Sequence, residues 1–178
     1  MYLGKDLLLT DVSYSAWSNR RLLDACSALT GEELERDLHN SHTSILATLR
    51  HVCDGEKVWL DCLATTADLG TWRLPQGPAP ELSLDSLRRS WPELWDGYLR
   101  WLEDMSENSL DVELTIQLPG DVERSLARWQ ILRHVLEHST FHRGQIIGMI
   151  RCLGHQPPAV NRMDYYLAGE STMQPRSG

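Results

Sequence analysis

Three of the chain's seven histidines stand four residues apart in the run His134-Val-Leu-Glu-His138-Ser-Thr-Phe-His142. On an α-helix a step of four turns the side chain by only about 40°, so the three imidazoles project from one side. Neighbouring members lie about one turn apart, close enough for two ring nitrogens to meet one cation, as in other His-x3-His metal motifs. The outer pair is separated by about 12 Å of helix rise, which disfavours three-way ligation from this helix alone. The chemistry on offer is a divalent metal held by two of these histidines and a third from another element.

The helix itself indicates which two. Its apolar seam runs Ile131, Val135, His138, His142, Ile146, Met149, Leu153, so His138 and His142 fill positions where core residues are expected, and His134 lies at the edge. Adjacent imidazoles in an apolar seam are costly unless their nitrogens find partners. A metal partners both at once; the alternative is a pair of hydrogen-bonded structural histidines. For the third ligand, His155 follows Gly154 and precedes Pro157-Pro158, which reads as loop, and His39 and His42 flank Asn40-Ser41, which reads as a helix start. His51 lies inside the helix opened by Ser41, on a stripe of Ser44, Thr48, Gly55, Val58 and Cys62 small enough to leave room between packed helices. His51 is the best third candidate, against the alternative of a hydrogen-bonded boundary residue.

The elements that must position these groups are mainly helical. Helices are expected over about residues 3–29, 41–69 and 125–153, and another carries the stripe Leu87, Trp91, Leu94, Trp95, Tyr98, Leu102, Met105, with Pro92 either kinking it or starting its main segment. Leu74-Pro-Gln-Gly-Pro-Ala-Pro80 reads as a linker. Alternation in Val112, Leu114, Ile116, Leu118 around Pro119-Gly120-Asp121 predicts a small β-hairpin, and the tail from about 155 is expected to be irregular with one short turn near Tyr165. The fold class expected is all-α: a four-helix bundle with long crossover connections and the hairpin before the last helix. At 178 residues, one domain over 1–178 is the simplest organisation.

With 17 basic against 25 acidic residues the net charge is −8, which argues against nucleic acid held through phosphate contacts. Cys26, Cys53, Cys62 and Cys152 form no CxxC pair and read as reduced, mostly half-buried thiols. Lys5, Asp6 and Asp11 interrupt any signal-like start and no run reaches membrane-span length, so a cytoplasmic location and no membrane partner are expected. Around the histidines, Gly144 is expected to permit close helix approach, and Gln145 to orient a histidine or a water, or to make a helix-end hydrogen bond. Arg143 reads as a surface ion-pair partner, with a substrate carboxylate as the alternative; Ser15 and Asn19 face either a cavity or a neighbouring helix.

Several segments together resemble the DinB-like (YfiT-like) superfamily. Tyr14-Ser-Ala-Trp17-Ser-Asn19-Arg-Arg-Leu22-Leu23 is similar to its first-helix pattern, and Ser44 to His51 with Glu56 and Trp59-Leu60 to its second. The strongest match is His138-Ser-Thr-Phe-His142-Arg143-Gly144-Gln145 followed by Arg151-Cys-Leu-Gly154 and the Pro157-Pro158 pair before Asp164-Tyr165-Tyr166. The resemblance covers nearly the whole chain and implies the same four-helix bundle. It also implies that His51, His138 and His142 are the metal-binding histidines, the set reached above from spacing; Glu137 stands where the family often has Asn.

Three neutral imidazoles leave a divalent ion an open position, unlike closed, cysteine-rich structural zinc sites. Such a site activates a water for hydrolysis or a thiol for transfer. Zinc is the first expectation by availability, with nickel or iron as alternatives. Characterised relatives, through the resemblance, imply a hydrolase or a low-molecular-weight-thiol S-transferase acting on a small-molecule substrate, and a homodimer by analogy. The alternative is a non-catalytic metal-binding or stress-response bundle.

Overall fold

A computed structural model describes residues 4–65, 70–77 and 80–169. Four long helices dominate: α1 (Lys5–Cys26), α3 (Ile45–Ala64), α4 (Leu84–Asp104) and α6 (Arg128–Cys152). Three short ones join them: α2 (Gly31–Glu35), α5 (Glu107–Leu110) and α7 (Arg162–Leu167). The expected count of four helices is thus corrected to seven among the described residues, and the fold is mostly rather than wholly α. The small sheet comprises β1 (Trp72–Arg73), β2 (Glu113–Leu118) and β3 (Val122–Ala127) in the order β1-β2-β3. The β2–β3 hairpin matches the expectation, with Leu118 opposite Val122 and both Gly120 and Asp121 at positive φ in the turn. Sequence reading missed β1, which pairs parallel to β2 through Trp72 and Ile116 just before the proline-containing linker.

The helix boundaries follow local chemistry. Ser44 caps α3 by accepting from the Ala47 N–H, so that helix starts three residues later than Ser41 and leaves 39–43 as a loop. Residues 66–69, the expected end of that helix, lie outside the described residues, as do residue 3 of the first and the tail from 170. Ser83 caps α4, which runs through Pro92. Ser125 belongs to β3, and α6 begins only at Arg128. Thr30 and Glu33 form a reciprocal capping box that starts α2 where the sequence reads simply as the end of the first helix.

On α1, Leu8, Val12, Ser15, Asn19, Leu22 and Cys26 are buried; of the stripe expected on α4, Leu87, Trp91, Trp95, Tyr98 and Leu102 are buried and Leu94 and Met105 half-buried. Packing follows a ring, with α3 against α4 and α6, and α1 against α4 and α6. The chain therefore crosses the bundle between α1 and α3, and again between α4 and α6, which is what the long connections accomplish. Cys26, Cys53 and Cys62 are free and buried, more so than expected, and Cys152 is exposed. No helix among the described residues is long and apolar enough to cross a membrane.

Candidate metal centre

The α3–α6 contact brings imidazoles from both helices together. The Nε2 atoms of His51 and His138 are 3.0 Å apart, and the rings of His51 and His142 lie 4.8 Å apart edge-on. His138 and His142 stand 4.5 Å apart on α6. His142 is buried, His51 and His138 half-buried, and His134 exposed at the edge of the group, 5.8 Å from His138. The expected trio is thus gathered in one place.

A fourth imidazole joins it. His42 stacks on His51 at 3.8 Å and 22°, and the ring nitrogens of His42, His51 and His142 lie within 4.8 Å of one another, a three-histidine cluster able to chelate a divalent ion. Reading Ser41 as the helix start hid this. The loop instead closes through Thr43 N–H to Asn40 C=O and Leu38 N–H to Thr43 C=O, with Thr43 at φ 60, and this turns His42 back over α3. The available signal was Ser44 as a better cap, which frees residues 39–43 to fold over the helix start.

Each ring has an identifiable support. His142 Nδ1 is 2.7 Å from Gln145 Oε1, so the amide oxygen accepts the Nδ1 proton and Nε2 keeps its lone pair. The same oxygen accepts from Ser41 Oγ, tying the His42 loop to α6. His138 owes its place to Gly55: a Cβ there would meet His138 Cε1 at 3.5 Å. Gly55→Ala is tolerable, whereas Gly55→Leu would drive a branched side chain into the ring. The expected result is a folded protein whose metal affinity falls by at least about tenfold, as for loss of an orienting contact, measured by competition with a chelating dye. Gly144, by contrast, faces open space, which corrects the expectation that it permits close helix approach.

Burial and neighbouring imidazoles favour the neutral forms of His42, His51 and His138. His51 and His138 are each pushed down to about 4, chiefly by burial and then by the surrounding rings, and His42 is lowered for the same reasons. In the unfolded chain these groups titrate near 6.5. Between those limits the unfolded state binds more protons, so stability is full above about pH 6.5 and falls as pH drops towards 4. In chelator-treated protein the urea midpoint should be lower at pH 5 than at pH 7.5. The gap should shrink in a His51→Ala/His138→Ala double variant; an unchanged gap would assign the acid sensitivity elsewhere.

Beneath the imidazoles lies a buried polar network that sequence reading missed. Glu56, fully buried on α3, accepts from Asn19 Nδ2 at 3.1 Å and Ser139 Oγ at 2.6 Å on one oxygen, and from Trp91 and Trp95 Nε1 at 2.6 and 3.0 Å on the other. Burial pushes its pKa up, opposed by the donors and by Arg143. Indole N–H groups only donate, so Oε2 serves as acceptor to both Trp91 and Trp95. Arg143, expected at the surface, is buried and donates to Ser15 Oγ, Asn19 Oδ1 and Thr140 Oγ1. Asn19 thereby bridges the buried Glu56 carboxyl and the buried Arg143 guanidinium, and Ser15 and Asn19 make helix–helix hydrogen bonds. The sequence signal was a charged residue on a core-facing helical stripe: Glu56 follows Val52, and Arg143 falls between Ser139 and Ile146. Glu137 pairs with Arg133 in solvent and leaves the histidines alone. His155 pairs with Glu33, and His39 is exposed beside Asp37.

An aromatic rim completes the outer side: Trp59 meets His134 edge-on at 5.4 Å and Trp72 at 5.9 Å.

The DinB family model matches residues 3–176. The chain belongs to the DinB family. It is 25% identical over 147 residues to protein DinB of Bacillus subtilis strain 168, spanning 80% of this chain and 83% of that protein. The crystal structure of a DinB-like protein from Bacillus cereus has the same fold, with a TM-score of 0.68 over 90% of this chain and all of the other, at 19% identity.

The donor set of this DinB-family chain fits a divalent cation. At metal–nitrogen bonds of about 2.0–2.1 Å, adjacent imidazole nitrogens on one ion are about 2.9–3.4 Å apart, and the His51–His138 separation of 3.0 Å falls in that range. No cysteine is among the ligating groups, which does not match a thiolate-rich structural zinc site.

Proposed function

We propose that this protein is a metal-dependent enzyme, a hydrolase or a low-molecular-weight-thiol S-transferase, whose single divalent ion is held by His51, His138 and His142. The observation that carries the reading is the convergence of neutral imidazoles from two helices, with the His51 and His138 Nε2 atoms 3.0 Å apart. When bound, a divalent ion with neutral ligands supplies a Lewis acid that lowers the pKa of a coordinated water or thiol and polarises a carbonyl. The chain does the rest. Gln145 fixes the tautomer of His142, Gly55 makes room for His138, and the Glu56 network sets α3 against α6. His134, Trp59 and Trp72 form the rim against which a small substrate would lie. Zinc is the first choice and nickel or iron the alternatives; a cytoplasmic homodimer is part of the same reading.

His42 favours a second reading. A loop-borne fourth imidazole stacked on His51 can close the coordination shell, which would make the protein a non-catalytic metal-binding bundle. One experiment separates the two. Protein prepared without a nickel column is analysed for metal, stripped with chelator, reloaded, and assayed on thiol adducts and on small esters and amides. Metal-restored turnover supports the enzyme. Stoichiometric metal with no turnover, and unaltered by His42→Ala, supports neither hydrolysis nor closure by His42. Stoichiometric metal that depends on His42 supports the closed site.

A further inference from the structure

We infer that the cavity between α1, α6 and α7 is a second ligand site, one that takes a small organic carboxylate with a short apolar or aromatic body. Its volume is about 450 Å³, within the range of small-molecule sites, and its walls include Tyr14, Arg133, Leu136, Phe141, Arg143 and Arg162. Of its three guanidinium groups, two have carboxylate partners: Asp11 accepts from Arg133 at 3.0 Å and from Arg162 at 2.5 Å, one on each oxygen, and Glu137 accepts from Arg133 at 2.7 Å. The third is different. Arg143 is only 3% exposed, yet it donates to the neutral oxygens of Ser15, Asn19 and Thr140, and Glu56 is linked to it through the Asn19 amide. Arg143 and Arg162 also share the Tyr14 ring, at 5.5 and 4.4 Å from its centroid. Two like charges on one ring repel, and an anion placed between them relieves both.

The rest of the lining selects among anions. Asp11 and Glu137 leave the cavity walls with one net positive charge, three Arg against two carboxylates, which suits a monoanion and disfavours a phosphate dianion. Leu136 and Phe141, the latter 63% exposed at the mouth, offer apolar surface for the body of the ligand. The site does not rest on the metal reading. Thr140, which lines the cavity, projects about 160° around α6 from His138, so the two sites use opposite faces of one helix.

The test is calorimetric titration of the full chain, stripped of metal, with benzoate and with benzamide as probes. Saturable binding of one benzoate per chain is expected, with benzamide at least about tenfold weaker because it lacks the charge. Arg162→Gln should weaken benzoate by about tenfold while leaving benzamide alone, and His142→Ala should change neither. If Arg162→Gln fails to fold, Phe141→Ala serves in its place and should weaken benzoate more than acetate. Equal affinity for benzoate and benzamide, no saturable binding up to about 10 mM, or benzoate binding that requires bound metal or His142 would overturn the assignment.

Discussion

Replacing His51, His138 or His142 with alanine is expected to abolish stoichiometric divalent-metal binding, whereas His134→Ala should leave most of it. His51 touches all three other imidazoles of the cluster: it is 3.0 Å from His138 between Nε2 atoms, stacked on His42, and edge-on to His142. Removing it takes away the only ligand α3 supplies. Even residues that only hydrogen-bond to a metal's ligands are worth about 10–100-fold in affinity, so loss of a ligand should cost more than about a hundredfold. Gln145→Ala, which frees the His142 tautomer, should fall within that range of about 10–100-fold. Elemental analysis after dialysis, followed by dye competition, reads both. The decisive comparison is His138→Ala with His42→Ala. If His42 proves indispensable and His138 dispensable, the third ligand comes from the loop and the seam argument on α6 has chosen wrongly.

That comparison marks where the sequence stops being informative. The long helices were legible because each buries a stripe with helical period, and the hairpin because Pro119-Gly120-Asp121 sits between alternating residues. The gathering of His51, His138 and His142 was legible because two of them interrupt an apolar seam and the third lies on a stripe of small residues. Gly55 shows why that second clue worked, since its missing side chain is the space His138 occupies. His42 was not legible, because its position depends on a five-residue loop closed by backbone hydrogen bonds rather than on any periodicity. The short β1 strand was hidden for a related reason: its pairing partner, Ile116, is more than forty residues away in the chain.

Buried charges are hidden from the sequence for a different reason. Arg143 reads as a surface residue because it projects away from the histidine seam of α6, yet it is buried with partners from α1 as well as α6. Asp11 likewise sits 4% exposed, held by Arg133 from α6 and Arg162 from α7. Single-helix patterns cannot show such pairings, because each charge is compensated only when three elements meet. The same holds for Glu56, whose four donors come from α1, α4 and α6.

Glu56→Ala is therefore expected to be among the most damaging substitutions in the protein. It removes an acceptor from Asn19, Trp91, Trp95 and Ser139 together, leaves four buried donors unpaired, and opens a cavity among the long helices. Breaking a buried charged network by deleting one partner typically costs about 3–5 kcal/mol. With an m-value of about 1–3 kcal/mol/M, that lowers the urea midpoint by more than about 1 M. Glu56→Gln keeps the volume and one acceptor oxygen but turns an NH2 group towards donors, so it should fall between Ala and the native chain. Its effect should also reach the metal. Glu56 lies on α3 five residues beyond His51, and its partner Ser139 adjoins His138 on α6, so the carboxylate clamps the two ligand-bearing helices together. Folded Glu56→Gln protein should bind metal about tenfold more weakly, the scale of a supporting contact. A Glu56→Ala chain as stable as the native one would show that the four donors find water instead, and that the imidazoles are held by apolar packing alone.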